Sequence, residues 1–320
     1  MAEPRKHHYL PQFYLRGFSV NGKHIFQIEK REARGYLCSI RDAAAIRDYH
    51  NLDYDDAEDP HAVEKRLSDI EGQLAKALAE VIDSGIVSDI SHARLVEFVS
   101  LMRVRVPAFK QYIEESLRQV VKSTGKLLER KGKLPPPPKG LENIFARDGI
   151  NISISNWKCL EYMFGLASDQ EILQLLASMT PLILRAPQGG VLLTCDQPVA
   201  VFNPEADPVN AYGIGLAHPH TQISLPLSSG VLLLLTWDQD AVRERLLLPD
   251  EVDEFNRRIA VMAEALIFAP EQSEAAIKTV AQNKHCSAGI ALQVLDTVDS
   301  TLHISTFRPV MPAERYHAAA

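Results

Sequence analysis

The chain has few cysteines, and they lie far from one another. The four cysteines, Cys38, Cys159, Cys195 and Cys286, include no Cys-x-x-Cys pair. This spacing argues against a zinc ribbon and against a disulfide framework. We therefore expect free, mostly buried thiols, as in a protein of a reducing compartment.

The sequence also lacks a long apolar segment and an excess of positive charge. The longest apolar run, residues 230–237, is far shorter than the roughly 20 residues that a membrane helix needs. The charged residues 1–6 lead into an aromatic motif and not into the apolar region of a signal peptide. The net charge of −7 argues against non-specific coating of nucleic acid, although a local basic groove stays open. These features predict a soluble cytoplasmic protein with no membrane contact.

The common catalytic signatures are missing too. The sequence contains no Walker phosphate loop, no Gly-x-Ser-x-Gly elbow, no His-Glu-x-x-His helix and no dinucleotide fingerprint. Any catalytic site must therefore be sought in a less common arrangement of residues.

Apolar residues are abundant enough for a large core, since they make up 46% of the chain. We predict a single domain over residues 1–320.

The predicted helices follow from apolar positions that recur every three or four residues over 63–81 and again from Ser91. Pro107 is expected to kink or split the second of these helices. A proline-rich loop is predicted at 131–140. The other predicted elements are helices at 157–164, 169–178, 249–268 and 271–280 and strands at 24–28, 190–202, 222–237, 290–295 and 302–307.

This order of elements predicts an α+β fold. Long central helices, in a helical layer over about 61–180, would pack on a mixed or antiparallel sheet. The sheet would come largely from a strand-rich part over about 185–310. The N-terminal strands within 1–40 are expected to join it.

The densest mixture of polar and aromatic residues lies at the N-terminus. The segment His7–Phe18 contains two adjacent histidines, several aromatic residues, a glutamine and an arginine. Adjacent side chains of an extended segment point to opposite faces, so we expect only one of His7 and His8 to face a given ligand. Either the histidines carry chemistry, or they are buried imidazoles beside aromatic residues that fill the core. We expect the motif to be ordered, with Phe13 and Phe18 largely inaccessible.

The segment resembles the start of a bacterial family, the domain of unknown function 4238 (DUF4238), whose members begin His-His-Tyr-x-Pro-Gln-Phe-Tyr-Leu-Arg-x-Phe. The family has no established activity. Further blocks are similar to family features: the helix Glu64–Gly72, the segment Phe98–Pro107, and Thr194–Val199, in which Cys195 replaces the usual small hydroxyl residue. A motif that keeps histidine, glutamine and arginine implies specific hydrogen bonding. We therefore predict catalytic histidines at His7 and His8 and substrate-binding side chains at Gln12, Tyr14 and Arg16.

Two glutamates on the first long helix are candidate metal ligands. Glu64 and Glu71 are two turns apart on one edge of the helix, about 10 Å along its axis. They could share one ion only with help from another segment. The alternative is a solvated flank of the helix.

Two arginines lie within the apolar pattern of the second helix. Arg103 and Arg105 need acceptors, because an unpaired buried charge is costly. One interpretation is a structural ion pair with Glu64 or Glu71. The other is a substrate-binding clamp for phosphate, which suits guanidinium geometry.

Two further groups are weaker candidates. Asp196, at the end of a predicted strand and before a proline turn, is either a carboxylate presented to a cleft or a turn former. His218 and His220 would share a face if extended, and zinc or manganese chelation there is less expected than a simple surface loop.

Together these residue types favour a metal-dependent hydrolase of phosphodiester bonds, such as a nuclease. The predicted site is one polar cleft between helices and sheet, in which carboxylates hold Mg²⁺ or Mn²⁺, a histidine activates water and arginine binds phosphate. The partner would be a nucleic acid or a phosphorylated small molecule. Two alternatives remain open: a non-catalytic module that binds a small ligand or a protein, with the same cluster as a structural network, and a metal-free acid–base enzyme. The residues predicted to converge are His7, His8, Glu64, Glu71, Arg103 and Asp196, with His7, His8 and Asp196 catalytic and Glu64 and Glu71 on the metal.

Overall fold

The computed structural model describes residues 6–317 except for 54–58, 60, 137–138, 141–144, 146–150, 208–213 and 297–300. The helices are α1 (Gln12–Arg16), α2 (Ala62–Ser84), α3 (Asp89–Val104), α4 (Pro107–Arg130), α5 (Asn156–Ala167), α6 (Gln170–Ala177), α7 (Pro249–Met262), α8 (Glu274–Asn283) and α9 (Ala313–His317). The strands are β1 (Lys6–His8), β2 (His24–Glu29), β3 (Arg34–Ser39), β4 (Ala45–Arg47), β5 (Thr180–Arg185), β6 (Thr194–Cys195), β7 (Ala200–Phe202), β8 (Gln222–Ser228), β9 (Val231–Thr236), β10 (Glu244–Leu246), β11 (Leu266–Ala269), β12 (Gly289–Asp296) and β13 (Thr301–Arg308).

The strands of the described chain form two larger sheets and two short ribbons. One sheet has the order β10-β5-β9-β8-β7 and is antiparallel except for the parallel pair β10–β5. The other has the order β3-β2-β11-β6 and is antiparallel. The ribbons are β1–β4 and β12–β13. The predicted α+β class with mixed and antiparallel sheets is confirmed.

The N-terminal strands join the C-terminal part of the chain. Strand β2 pairs antiparallel with β11, with Ile28 opposite Ile267. Both residues are fully buried, which explains why this register is stable: a slip by one residue would turn the apolar side chains to the other face. The β2–β3 hairpin is therefore built into a sheet whose other strands come from beyond residue 190.

Helix α3 lies at the centre of the helical layer. It contacts α2, α4, α5 and α6. Its side chains are buried around most of its circumference, as expected for a helix packed against several neighbours. No helix of the described residues is long and apolar enough to cross a membrane.

Several predicted boundaries differ from the structure. Ser91 is not the first residue of the second helix: Ser88 is the N-cap and Ser91 closes a reciprocal capping box with it. Pro107 splits the predicted helix into α3 and α4 and occupies the first turn of α4, where a missing N–H costs nothing. The proline-rich loop follows α4 as expected, although Pro137 and Pro138 lie outside the described residues.

Two strand assignments were incomplete. The predicted helix 249–268 ends at Met262, and Leu266–Ala269 forms β11 instead. Strand β5 was not predicted, and only two short strands, β6 and β7, form within 190–202. The helix ends after Met262 because Asp196, a predicted site residue, accepts the backbone N–H groups of Glu264, Ala265 and Leu266.

Candidate functional site

The N-terminal motif forms a short extended segment followed by α1, and its aromatic residues enter the core. Tyr9, Tyr14 and Phe18 are at most 4% exposed, so the expected burial of Phe18 is confirmed. Phe13 is only partly buried, and the prediction that it is inaccessible was wrong. The reason is that α1 presents one face to the core, while Phe13 lies at its edge and lines an open cleft.

This cleft lies between α1 and α2 and has a volume of about 370 Å³. Five predicted site residues line it: His8, Gln12, Arg16, Glu64 and Glu71. The other lining residues are Phe13, Ser68, Gly72 and Ala75. Half of the predicted site therefore shares one cleft, although the cleft lies between helices and not between helices and sheet.

A pair of buried histidines lies behind the Glu64 side of the cleft. The rings of His7 and His50 stack with a centroid distance of 5.6 Å and an interplanar angle of 11°. His50 is 0% exposed and His7 is 1% exposed. His7, His50 and Glu64 bring one potential ligand atom each to within 4.8 Å of the others. The ring of His61, just before α2, lies edge-on to His7 at 6.1 Å.

The hydrogen bonds of the pair define its protonation. The backbone N–H of His50 donates to Nδ1 of His7 over 2.9 Å, so the neutral ring of His7 carries its proton on Nε2. Nδ1–H of His50 donates to Oε2 of Glu64 over 2.7 Å, which leaves a bare lone pair on Nε2 of His50. Both Nε2 atoms are inaccessible to solvent, and neither has a hydrogen-bond partner among the described residues. Such atoms are costly unless an ion, a water or a ligand group meets them.

Burial and charge keep this group in the form that binds cations. Burial lowers the pKa of His50 to about 4, although the hydrogen bond to Glu64 opposes the change. Burial alone would raise the pKa of Glu64, but the hydrogen bond from His50 and the nearby charges outweigh it and lower that pKa. At neutral pH the cluster therefore offers the neutral imidazole of His50 and the ionised carboxylate of Glu64.

His8 is held differently from His7. Its Nε2–H donates to the carbonyl oxygens of Arg41 and Ile40 over 3.1 and 3.3 Å. Burial lowers the pKa of His8, although both carbonyls oppose this. The neutral ring thus has its proton on Nε2 and a bare lone pair on Nδ1, which suits a general base in the cleft.

Glu71 is tied to Arg105. Nη1 of Arg105 donates to Oε1 of Glu71 over 2.9 Å, and Nη2 donates to the carbonyl oxygen of His8 over 2.8 Å. Arg105 is 1% exposed. Of the two interpretations of Arg105, this geometry favours the structural ion pair with Glu71 over the substrate-binding clamp, because the guanidinium fixes the backbone of the histidine motif. It also turns the predicted metal ligand Glu71 into the partner of a buried cation.

Asp196 does not line the cleft, and its carboxylate is already engaged. Its two oxygens accept the backbone N–H groups of Glu264, Ala265 and Leu266 over 2.7–2.9 Å. Burial raises the pKa of Asp196 to about 6 against these bonds. We therefore replace its predicted catalytic role by a structural one: it binds the turn between α7 and β11.

Tyr14 and Arg103 are also absent from the cleft. The hydroxyl of Tyr14 lies 2.6 Å from Oγ1 of Thr194, so the N-terminal motif and the Thr194 block meet in the core. Because Tyr14 is 1% exposed, its predicted role in substrate binding is not supported by its position. Arg103 lines a separate cavity, two positions and more than half a helical turn away from Arg105.

The histidines at 218 and 220 form the second potential metal group of the described residues. His218, His220 and Glu205 bring ligand atoms within 4.8 Å of one another. The carboxylate of Glu205 is hydrogen-bonded to Nδ1 of His220 and lies 3.3 Å from Nε2 of His218, and Nδ1 of His218 accepts from the amide of Asn203 over 3.0 Å. This group is exposed and satisfies its own hydrogen bonds, unlike the buried pair.

Sequence reasoning missed His50 and His61. His50 lies in an acidic segment that has no hydrophobic periodicity. It comes close to His7 because β1 pairs with β4, which ends just before His50. His61 and Glu64 had a usable signal, because residues three apart at the start of a helix share a face.

The comparisons with known proteins bear on the family alone. The model of a family described as a protein of unknown function (DUF4238) matches residues 6–273. Neither the curated proteins nor the solved structures include a significant match to the chain. The matched region contains every residue of the cleft and of the buried histidine pair.

Proposed function

The chain belongs to the DUF4238 family, and from the geometry of its cleft we propose that it is a metal-dependent hydrolase of phosphodiester bonds. The observation that carries the proposal is the grouping of His7, His50 and Glu64, with ligand atoms within 4.8 Å of one another, beside an open cleft of about 370 Å³. The buried Nε2 of His50, which has a bare lone pair and no partner among the described residues, gives the ion a reason to bind there.

The donor set fits a divalent transition metal. His50 would hold the ion through its bare Nε2, while Glu64 accepts the Nδ1–H of His50 and orients the ring, and His7 stacks beside it. Imidazole nitrogens beside a carboxylate suit Mn²⁺ or Zn²⁺ better than Mg²⁺, which prefers an all-oxygen shell. A carboxylate that accepts the Nδ1–H of a histidine is a frequent partner of metal-bound imidazole and raises its basicity. When bound, the ion would supply Lewis-acid polarisation of a phosphoryl oxygen.

The cleft residues supply the remaining functions. Arg16 is exposed and has no hydrogen bond or ion pair among the described residues, so its guanidinium is available for a phosphate group. Gln12 lies beside it and offers neutral hydrogen bonds. His8, neutral and with a bare Nδ1, would take the proton of the attacking water. Glu71 and Arg105 keep the backbone of His8 in place.

The test is hydrolysis of bis(p-nitrophenyl) phosphate by tag-free protein before and after chelation. We expect activity that chelation abolishes and Mn²⁺ or Zn²⁺ restores. His50→Gln removes a ligand, so it should weaken metal affinity by more than the about 10–100-fold that loss of an orienting partner costs. His8→Gln should lower kcat but keep metal affinity. The control is His220→Gln, which removes one imidazole from the exposed Glu205 group and should leave the activity unchanged.

A second candidate is a metal-free acid–base enzyme. The observation that favours it is the pairing of a bare Nε2 on His50, oriented by Glu64, with a proton-bearing Nε2 on His7. A base and a donor side by side are what such an enzyme needs. Activity that resists chelation but is lost in His50→Gln would select this candidate. If the protein neither binds a metal nor hydrolyses the probe, both enzymatic proposals fail and the non-catalytic binding module takes their place.

A further inference from the structure

A second cavity, of about 360 Å³, lies away from the candidate cleft. It is bordered by the end of α3, the first turns of α4, the residues around Gln197 and the start of the β12–β13 ribbon. It shares none of its lining residues with the cleft. What this cavity binds is therefore a separate question from the metal centre.

Arg103 is the cation of this cavity. Its Nη1 is inaccessible to solvent and has no hydrogen-bond partner among the described residues. Two carboxylates, Glu115 and Glu264, also line the cavity, and neither forms an ion pair with Arg103 among the described residues. Glu115 is bonded to Arg118 and Gln119 instead. Desolvation lowers the pKa of Arg103. A buried guanidinium without an anionic partner is unfavourable, so an anion that enters the cavity would be stabilised there.

The rest of the wall is suited to an organic molecule. Phe109, Tyr112 and Phe307 provide aromatic surface. Gln197 provides a neutral amide, whose Nε2 lies 3.1 Å from the point where a Cβ on Gly289 would lie. Because Gly289 has no Cβ, its backbone can approach the amide this closely. Its φ of +118° also favours glycine at this position. One buried cation, one amide and aromatic walls match a ligand with an anionic head and an apolar body.

We propose that this cavity binds a small organic anion, with Arg103 as the residue that holds its carboxylate or phosphate group. The site is independent of the metal centre and of the hydrolase proposal. Arg105, two positions away, is satisfied by Glu71 and His8 and serves the fold. In the described part of the chain Arg103 has no such protein partner, and it serves the ligand.

The test is isothermal titration of the full chain with three probes: benzoate, phenyl phosphate and inorganic phosphate. Saturable binding of benzoate or phenyl phosphate is expected, and the tighter of the two identifies the head group. Inorganic phosphate, which lacks the apolar body, should bind at least about tenfold more weakly than phenyl phosphate. Equal affinity for the two phosphates would overturn the assignment of the aromatic wall.

The variants separate this site from a general surface effect. Arg103→Met should weaken binding at least about tenfold while the thermal midpoint of the free protein stays the same or rises. Ala108→Phe, which fills part of the cavity without changing Arg103, should also abolish binding. The control is Arg31→Met, which removes an exposed arginine outside the cavity and should bind normally. Undiminished binding by Arg103→Met and by Ala108→Phe, or no saturable binding of any probe, would overturn the proposal.

Discussion

At the scale of single residues, the same type of side chain has different roles according to what surrounds it. Arg103 and Arg105 are two positions apart in one apolar pattern, yet of the two only Arg105 has protein acceptors among the residues that the structure describes. From the sequence alone, each arginine was expected either to form a structural ion pair with a glutamate or to bind the phosphate of a substrate. The sequence could not separate them, because the acceptors come from α2 and from the N-terminal motif.

The two arginines give a matched prediction for stability. Arg105→Met should lower the free energy of unfolding by about 3–5 kcal/mol, since it removes the partner of a partly buried carboxylate and a bond to the His8 carbonyl. Arg103→Met should change it by less than about 1 kcal/mol, because no protein partner is lost. Chemical denaturation of both variants checks this. Equal losses would show that Arg103 is also a structural residue.

The buried histidine predicts a dependence of stability on pH. The pKa of His50 is about 4 in the folded protein and near 6.5 when unfolded, so the folded state favours the neutral ring. The stability that the neutral His50 ring gives the folded state is fully present above about pH 6.5 and is lost as the pH falls from about 6.5 to about 4. The loss should reach about 3 kcal/mol. Denaturation of the wild type and of His50→Gln at pH 7 and pH 4 measures it; an equal decline in both would contradict the assignment.

Part of the candidate site was predictable at this scale. His8, Gln12, Arg16, Glu64 and Glu71 were named from residue types and from the family motif, and the structure brings them to one cleft. Their roles stay predictions. His50 could not be named, because nothing local distinguishes it from a surface histidine and its position depends on the pairing of β1 with β4.

At the scale of elements, the end of α7 shows why boundaries were harder to predict than the elements themselves. Residues 263–265, Ala-Glu-Ala, favour a helix, so the sequence predicted one continuous helix to 268. Two distant residues bind the backbone there instead. Nζ of Lys30 donates to the carbonyls of Val261 and Ala263, and Asp196 accepts the N–H groups that follow. Tertiary contacts outweigh local propensity at this turn.

The structural role of Asp196 can be tested directly. Asp196→Ala should lower the free energy of unfolding by about 3 kcal/mol or more, because three backbone N–H groups lose a common acceptor. Metal affinity should not change, since Asp196 lies outside the candidate metal group. Asp42→Ala, which removes an exposed carboxylate paired with Lys6, is the control and should leave the free energy of unfolding nearly unchanged. Loss of metal binding without loss of stability would restore the catalytic role of Asp196.

At the scale of the whole molecule, the α+β class followed from the change of hydrophobic period along the chain, and the union of N- and C-terminal strands followed from their apolar patterns. The order of the strands within the sheets could not be predicted in this way. Strand β5 was missed because six residues beginning Thr-Pro have no clear alternation, and their burial is set by pairing with β9 and β10.

The pairing of β2 with β11 predicts that the chain unfolds as one unit. The four-stranded sheet takes strands from both ends of the sequence, so neither end can leave without breaking it. Differential scanning calorimetry should give a single transition whose calorimetric and van't Hoff enthalpies agree. Two separated transitions would contradict the predicted single domain.

The central claim is that a divalent ion binds at the buried histidine pair. The most direct measurement is electron spin-echo envelope modulation of the tag-free protein loaded with Mn²⁺, which detects imidazole nitrogen bound to the ion. We predict nitrogen modulation in the wild type and in His220→Gln and its loss in His50→Gln. A spectrum of manganese bound only to oxygen, or nitrogen modulation that His220→Gln removes and His50→Gln retains, would contradict the account.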